Sequence, residues 1–313
     1  MARFGFQIPN FTYDVPDADL FEHVAGLAGA AESSGFSSVW VMDHFFQLPA
    51  LGGFDQPMLE GYTLLGALAA RTARVELGTL VTGVTYRNPA LLAKIVTTLD
   101  VISGGRAVCG IGAAWYDVEH DALGFAFPSA GERLDRLEEA VQICRAMFTQ
   151  GHATFSGRYF SITDARNLPR PVRAEGIPIM IGGSGERRTL RLVAQYADRC
   201  NLHGSPETIR HLLDVLQRHC ADVDRDPAAI RVTWLGTLML TSSPIETEEM
   251  RAIIGAGAGA DLDERFVIGN DSEAAERIGE ILEAGVDEVI VNMPFASADA
   301  IRRAGALLTG HFA

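Results

Sequence analysis

VELGTLVTGVTYRNPALLAKIVTTLDVISGGRAVCGIG, residues 75–112, reads as strand, helix and strand in close succession. The run Val75–Val81 is short, apolar and β-branched, which predicts a strand. Asn88-Pro89 supplies a cap followed by proline in the first helical turn. Pro89–Ile102 continues the helix, and Gly104-Gly105 supplies its stop. A second β-rich run, Arg106–Ile111, follows at once. Two strands joined by a crossover helix make the unit of a parallel sheet.

The same alternation extends in both directions. Strands are expected at Arg3–Ile8 and Ser38–Met42 before this unit, and at Pro178–Ile181, Asp198–Leu202, Arg231–Leu240 and Glu288–Met293 after it. Helices are expected at 17–35, Gly61–Thr72, Ala130–Phe148, Glu186–Tyr196, Pro206–Asp222, Ile245–Ile254, Ser272–Ala284 and Ser297–Thr309. Eight strands alternate with helices, and no linker or composition shift divides the 313 residues. That pattern predicts an α/β fold, a (β/α)8 TIM barrel of one domain, 1–313, rather than two doubly wound halves. Two stretches exceed the simple pattern: 151–176, with a hairpin-like GHATFSGRYFSI, and 242–271. Both are expected over the carboxyl ends of the strands, where barrel active sites lie and where a lid belongs.

Forty acidic against 26 basic residues give a formal charge of −14, which argues against generic attraction to nucleic acid or an anionic membrane. Four widely spaced cysteines, Cys109, Cys144, Cys200 and Cys220, form no CxxC pair; Cys109 and Cys144 sit in apolar contexts typical of buried free thiols, and a reducing, cytoplasmic setting is expected. The chain enters a strand at its start, shows no secretory leader and has no apolar run of about 20 residues, so a soluble, unexported protein is expected.

Chemistry in a barrel belongs to residues leaving the carboxyl ends of the strands. WVMDHF places Asp43 and His44 after the second strand. The plain reading makes Asp43 a cap and His44 merely exposed; the functional one makes His44 a proton donor and Asp43 its neighbour or a cofactor partner. LGTLVTGVTYRNP after the third strand offers Thr82, Gly83 and Arg87. CGIGAAWYDVEH after the fourth lets a flat ring approach Gly112 and Ala113, with Trp115 and Tyr116 as walls. The strongest local signal is PIMIGGSGERRTLRL. A strand enters Gly182, Gly183, Ser184 and Gly185, and a helix is expected to open with Glu186, Arg187 and Arg188, presenting N–H groups and cations to an anion. An ordinary glycine-rich turn is the competing reading. Walker, GxGxxG, HExxH and GxSxG patterns are absent, and no metal site is expected; Glu119 and His120, adjacent on an extended segment, point apart.

In order, RFGFQIP, SVWVMDHF, LGTLVTGVTYRNPALLAK, LDVISGGRAVCGIGAAWYDVEHDALG, ERLDRLEEAVQICRAMF, IPIMIGGSGERRTLRLVAQYADRCN and GVDEVIVNMP resemble segments of the bacterial-luciferase-like superfamily, in its coenzyme F420-dependent oxidoreductase branch. The resemblance spans nearly the whole chain. It implies a deazaflavin lying across the strand ends, and a non-prolyl cis peptide at Leu80–Val81 that buttresses its ring. Asp43, Thr82 and Gly83 match ring-contact positions, and Gly182 to Gly185 the phosphate. His44 matches a histidine near the hydride-transfer centre of deazaflavin-dependent sugar-phosphate and alcohol dehydrogenases. Where the sugar-phosphate enzymes carry a glutamate after the fourth strand this chain has Trp115, which argues against glucose-6-phosphate chemistry and against an acid/base pair on that template. Trp115 then serves as a wall over ring or substrate, and Phe45, among the apolar residues after Asp43-His44, lines the entrance. Arg187 and Arg188, with Arg158, Arg166, Arg170 and Arg173, are expected to offset the acidic chain near the anionic cofactor.

Three activities follow from the resemblance. The first is F420-dependent hydride transfer to or from a small organic substrate, with His44 catalytic. The second is an FMN-dependent monooxygenase using O2, and the third a non-catalytic flavin-binding protein. An F420 or flavin reductase is expected to supply reduced cofactor, and a homodimer is expected.

Overall fold

The computed structural model describes residues 2–259 and 262–312. Its strands are β1 (Arg3–Ile8), β2 (Ser38–Val41), β3 (Glu76–Thr79), β4 (Thr82–Gly83), β5 (Ala107–Gly112), β6 (Ala153–Ser156), β7 (Ser161–Ala165), β8 (Ile179–Gly182), β9 (Arg199–Leu202), β10 (Arg231–Leu240), β11 (Phe266–Gly269) and β12 (Glu288–Asn292). The ladder runs β12–β1–β2–β3–β5–β8–β9–β10 and returns to β12, with every pairing parallel. That is a closed eight-stranded barrel, and helices connect its strands as the sequence predicts.

Two apolar layers form. Trp40, Leu80, Val108, Met180 and Ile290 fill the barrel, and a larger cluster lies between the strands and the helices. Trp40 gains its room from Gly78, where any Cβ would lie 2.7 Å from the indole. At the amino end, Glu76 and Glu288 sit among Arg3, Arg199 and Arg231, closing the barrel with charge rather than apolar bulk.

Several elements differ from expectation. The third strand stops at Thr79; the chain bends through a cis Leu80–Val81 peptide, and Thr82–Gly83 then pairs with β5. The segment after β5, read as extended, holds a helix at Asp117–Leu123, closed by Gly124 at φ 72°. The glycine-rich segment reaches its helix only at Thr189, because 186–188 form a turn. Within 242–271, a helix spans Pro244–Ala258, and Phe266–Gly269 becomes a strand by pairing with the far end of β10. Ala260 and Asp261 of that stretch lie outside the described residues.

The 242–271 stretch leaves from the carboxyl end of β10 as expected, whereas 151–176 does not leave from a strand's carboxyl end. It follows the end of helix Ala130–Thr149 and so starts at the barrel's amino end. The antiparallel β6–β7 hairpin forms, and its turn is held on that helix: the backbone N–H groups of Arg158, Tyr159 and Phe160 donate to Glu139 at 2.7, 2.9 and 2.9 Å.

Candidate active site

Asp43 and His44 after β2, Leu80 to Gly83 after β3, Ala113 to Trp115 after β5 and Gly182 to Gly185 at the end of β8 meet at one mouth, because parallel strands deliver every carboxyl end to the same side.

The centre of the site is an ion-pair geometry that the sequence analysis missed. His44 Nδ1 lies 2.8 Å from Oε1 of Glu119, whose side chain is wholly buried. The same oxygen accepts from Phe45 N–H at 3.2 Å, and the other accepts from the Tyr86 hydroxyl at 2.8 Å. Burial, then Glu119 itself, pushes the Tyr86 phenol far above its ordinary value, so this group remains an O–H donor. An acceptor-only carboxylate beside Nδ1 selects the Nδ1–H tautomer of His44 and leaves Nε2 without a protein partner among the described residues. The expectation that Trp115 in place of a glutamate weakens an acid/base pair is therefore corrected: Glu119 supplies the carboxylate from the helix Asp117–Leu123.

Adjacent residues do diverge there. His120 Nδ1 donates to the Tyr116 carbonyl at 2.7 Å, and its Nε2 lies 2.6 Å from the Thr85 hydroxyl. His120 thereby ties the helix to the loop after β4. Among the described residues no cluster of three or more His, Cys, Asp or Glu side chains has the arrangement to hold a metal ion.

Asp43 is buried and held bidentately by Arg87, at 2.6 and 3.0 Å, and Arg87 also reaches Glu60 at 2.5 Å. Its oxygens are thus directed at Arg87, and Arg87 is a clamp between two acids rather than a free cation. Beside it Tyr62, Thr79 and Thr82 share hydroxyl hydrogen bonds of 2.6 to 3.2 Å. Burial keeps the Tyr62 phenol protonated. Gln7 Nε2 donates to the Leu80 carbonyl at 3.2 Å, so β1 fixes the bend at Leu80–Val81.

Val81 turns its side chain over two glycines: a Cβ on Gly112 or on Gly182 would come within 2.9 Å of it. Gly83 is closed in by Tyr86. The Ala113 carbonyl accepts from Arg133 Nε at 2.9 Å. Gly183 has φ +126°, a conformation that glycine adopts freely. Ser184 Oγ is buried without a hydrogen-bond partner among the described residues. Arg187 is exposed beside Gly185, but Arg188 pairs with Asp135. The connector cations are corrected more strongly. Arg170 donates to the carbonyls of Thr149 and Gln150, and Arg173 faces Glu76 at the amino end, so neither reaches the mouth.

Trp115 stands edge-on to His44 with centroids 5.5 Å apart, and Phe45 packs against Tyr86 and Phe125. Trp115 therefore borders the histidine, while Phe45 supports the wall behind it.

The sequence profile described as luciferase-like monooxygenase matches residues 3–302. The F420-dependent glucose-6-phosphate dehydrogenase of Intrasporangium calvum is 31% identical over 302 residues, covering 84% of this chain and 86% of that protein. The enzyme so named from Kineococcus radiotolerans is 36% identical over 177 residues, 56% of this chain and 49% of its own length, so that match spans about half of the relative. Among solved structures, an F420-dependent secondary alcohol dehydrogenase in complex with an F420-acetone adduct superposes with a TM-score of 0.83 at 20% identity, over 100% of this chain and 99% of that one. A long-chain alkane monooxygenase gives 0.80 at 16%, over 99% and 90%. Both superpositions speak to the fold.

Proposed function

The chain belongs to the luciferase-like monooxygenase family, and from that premise we propose that it is an F420-dependent oxidoreductase moving a hydride between the deazaflavin and a small organic substrate. The observation that carries this reading is the His44–Glu119 pair at the barrel mouth. The glycine-rich loop fits the anionic end of the cofactor: Gly183 holds φ +126°, and the Ser184 hydroxyl is buried and unpartnered among the described residues. The relatives named as F420-dependent support the same choice over FMN.

Bound deazaflavin supplies or takes the hydride at the substrate carbon. His44 handles the matching proton. In carbonyl reduction the substrate carbon gains the hydride as the C=O π bond breaks; His44, here protonated on both nitrogens beside Glu119, gives its Nε2 proton to the oxygen and returns to the Nδ1–H form, and solvent then reprotonates Nε2. In alcohol oxidation Nε2 takes the hydroxyl proton instead. Glu119 holds the ring in the tautomer that leaves Nε2 for this task, and Tyr86 and the Phe45 amide hold Glu119.

Titration of cofactor-free protein with F420 and with FMN tests the reading. A preference for F420 of about tenfold or more supports it, as does a loss in His44→Ala of about 100-fold in turnover with unchanged F420 affinity. Preference for FMN with oxygen consumption moves the protein to the monooxygenase class, and cofactor binding with no half-reaction makes it a binding protein.

The proposal extends to a separate reductase that supplies reduced cofactor, to a cytoplasmic setting and to a homodimer. For the dimer, Leu91 and Ile102 stand exposed on helix Pro89–Ser103, next to Leu168 and Val172 of a connector that Asp100 tethers by accepting Val172 N–H at 2.8 Å. Light scattering on the purified protein tests it. No described helix is long and apolar enough to cross a membrane.

A further inference from the structure

Beside the His44–Glu119 pair, three aromatic rings form a continuous surface. Trp115 stacks on Tyr116 with centroids 5.1 Å apart, Phe54 stacks on Tyr116 at 6.3 Å, and Trp115 and Tyr116 each stand edge-on to His44 at 5.5 Å. Trp115 and Phe54 are 63% and 51% exposed, although large apolar side chains are ordinarily covered. Exposed rings that adjoin a proton-transferring histidine suit a flat apolar ligand.

Tyr116 adds a second, independent feature. The residue is 5% exposed, and its hydroxyl is buried with no hydrogen-bond partner among the described residues. A buried hydroxyl in that condition carries a desolvation cost that a ligand oxygen removes. Burial, with Glu119 and Asp117 nearby, raises the phenol above its ordinary value, so the group it offers is an O–H.

The charges around the rings are already committed. Arg87 is clamped by Asp43 and Glu60; Arg133 donates to the carbonyls of Ala113 and Pro128 and lies over the Phe127 ring. Glu119 contributes negative charge. A phosphate ester needs free cations and gains little from stacked rings, whereas an uncharged compound suits the surface.

We propose that this site takes an uncharged carbonyl compound, or the corresponding secondary alcohol, carrying a flat aromatic arm: Trp115 and Phe54 hold the arm, and the Tyr116 hydroxyl donates to the oxygen on which His44 acts. The inference rests on the oxidoreductase reading and narrows its substrate class.

Binding of 2-acetylnaphthalene, 2-ethylnaphthalene and glucose 6-phosphate tests it, on the protein alone by tryptophan emission and on the F420-loaded protein by equilibrium dialysis. Trp40 and Trp234, the other two tryptophans, are buried, so quenching reports Trp115. The ketone is expected to bind at least about tenfold more tightly than glucose 6-phosphate, and Trp115→Ala to weaken it about tenfold. Tyr116→Phe is expected to weaken the ketone by about five- to tenfold while leaving 2-ethylnaphthalene, which lacks the oxygen, unchanged. Equal losses for both naphthalenes remove the hydrogen bond from the proposal. Tighter binding of glucose 6-phosphate, or an unaffected Trp115→Ala, overturns the substrate class. F420 binding by the same proteins separates the two levels: if F420 binds and the ketone does not, the substrate class fails alone; if the ketone binds and F420 does not, the oxidoreductase reading fails.

Discussion

His44 and Glu119 are separated by 75 positions in the chain, yet their side chains meet at 2.8 Å where the loop after β2 faces the helix after β5. Among the described residues the carboxylate is the one hydrogen-bond partner of Nδ1, so it acts as a positioning residue. Glu119→Gln keeps the volume and an oxygen that the Phe45 and Phe46 N–H groups, at 3.2 and 3.5 Å from Glu119 Oε1, can still reach, but offers an amide that can turn either end to the ring. Turnover is expected to fall by about 100-fold, the scale of a misplaced reacting group, with F420 affinity unchanged. Nitrogen NMR supplies the readout that a merely structural role does not move: neutral His44 should change from the Nδ1–H form to a mixture of tautomers. Wild-type turnover in the variant removes Glu119 from the mechanism.

Much of this arrangement is legible in the sequence, for a reason that also sets its limit. Strand periodicity and the cap and stop signals around Pro89 and Gly104 are local, and a parallel barrel then brings every strand end to one mouth, which gathers His44, Thr82 and Gly182 there as candidates for the site. Glu119 depends on a helical turn at Asp117–Leu123 and on a partner far along the chain. The signal was present, in an acidic first turn and a closing Gly124, but it marks a helix and names no partner. The cations of the connector mislead for the opposite reason: sequence distance to the glycine-rich segment is short, while Arg173 sits at the other end of the barrel.

Ser184→Ala separates a binding role from a structural one. Its hydroxyl is buried and makes no hydrogen bond among the described residues, so removing it should leave the unliganded protein as stable as before, or more stable by up to about 1 kcal/mol. F420 binding should weaken by about five- to tenfold, with FMN affected likewise through its phosphate. Thermal unfolding with and without F420 measures both sides. A loss of stability without cofactor identifies Ser184 as part of the scaffold instead.

Glu76 predicts how the barrel responds to acid. Burial raises its carboxyl, and Arg199, at 2.6 and 2.9 Å, with Arg3 and Arg231, more than offsets this, so it lies below its ordinary value of 4.5. A depressed folded pKa contributes stability that is present above the unfolded value and lost as pH falls through the folded one. The loss should therefore begin below about pH 4.5, and neutral pH should show none of it. Glu76→Gln leaves Arg199 buried without its partner and should cost about 3 kcal/mol at pH 7. Urea midpoints from pH 7 to pH 3 should converge for the two proteins; a constant gap assigns the effect to packing.

Two glycines offer opposite outcomes from the same substitution. At Gly110, inside the barrel on β5, a Cβ overlaps the Thr79 carbonyl oxygen, and that strand cannot retreat because Thr79 also donates its hydroxyl to the Gly110 carbonyl at 3.1 Å. The obstruction is backbone rather than the end of a flexible side chain, and it lies directly before the Leu80–Val81 bend. Gly110→Ala should cost about 3 kcal/mol or more. Gly66 lies within the helix Gly61–Arg71, and a Cβ there meets nothing within 4 Å. Gly66→Ala should stabilise the protein by about 0.5–1 kcal/mol, because alanine loses less backbone freedom on entering a helix. Urea unfolding of both variants gives the comparison, and F420 affinity should fall only in Gly110→Ala. If Gly110→Ala unfolds at the wild-type midpoint, the close approach of β3 and β5 beneath the bend is wrong.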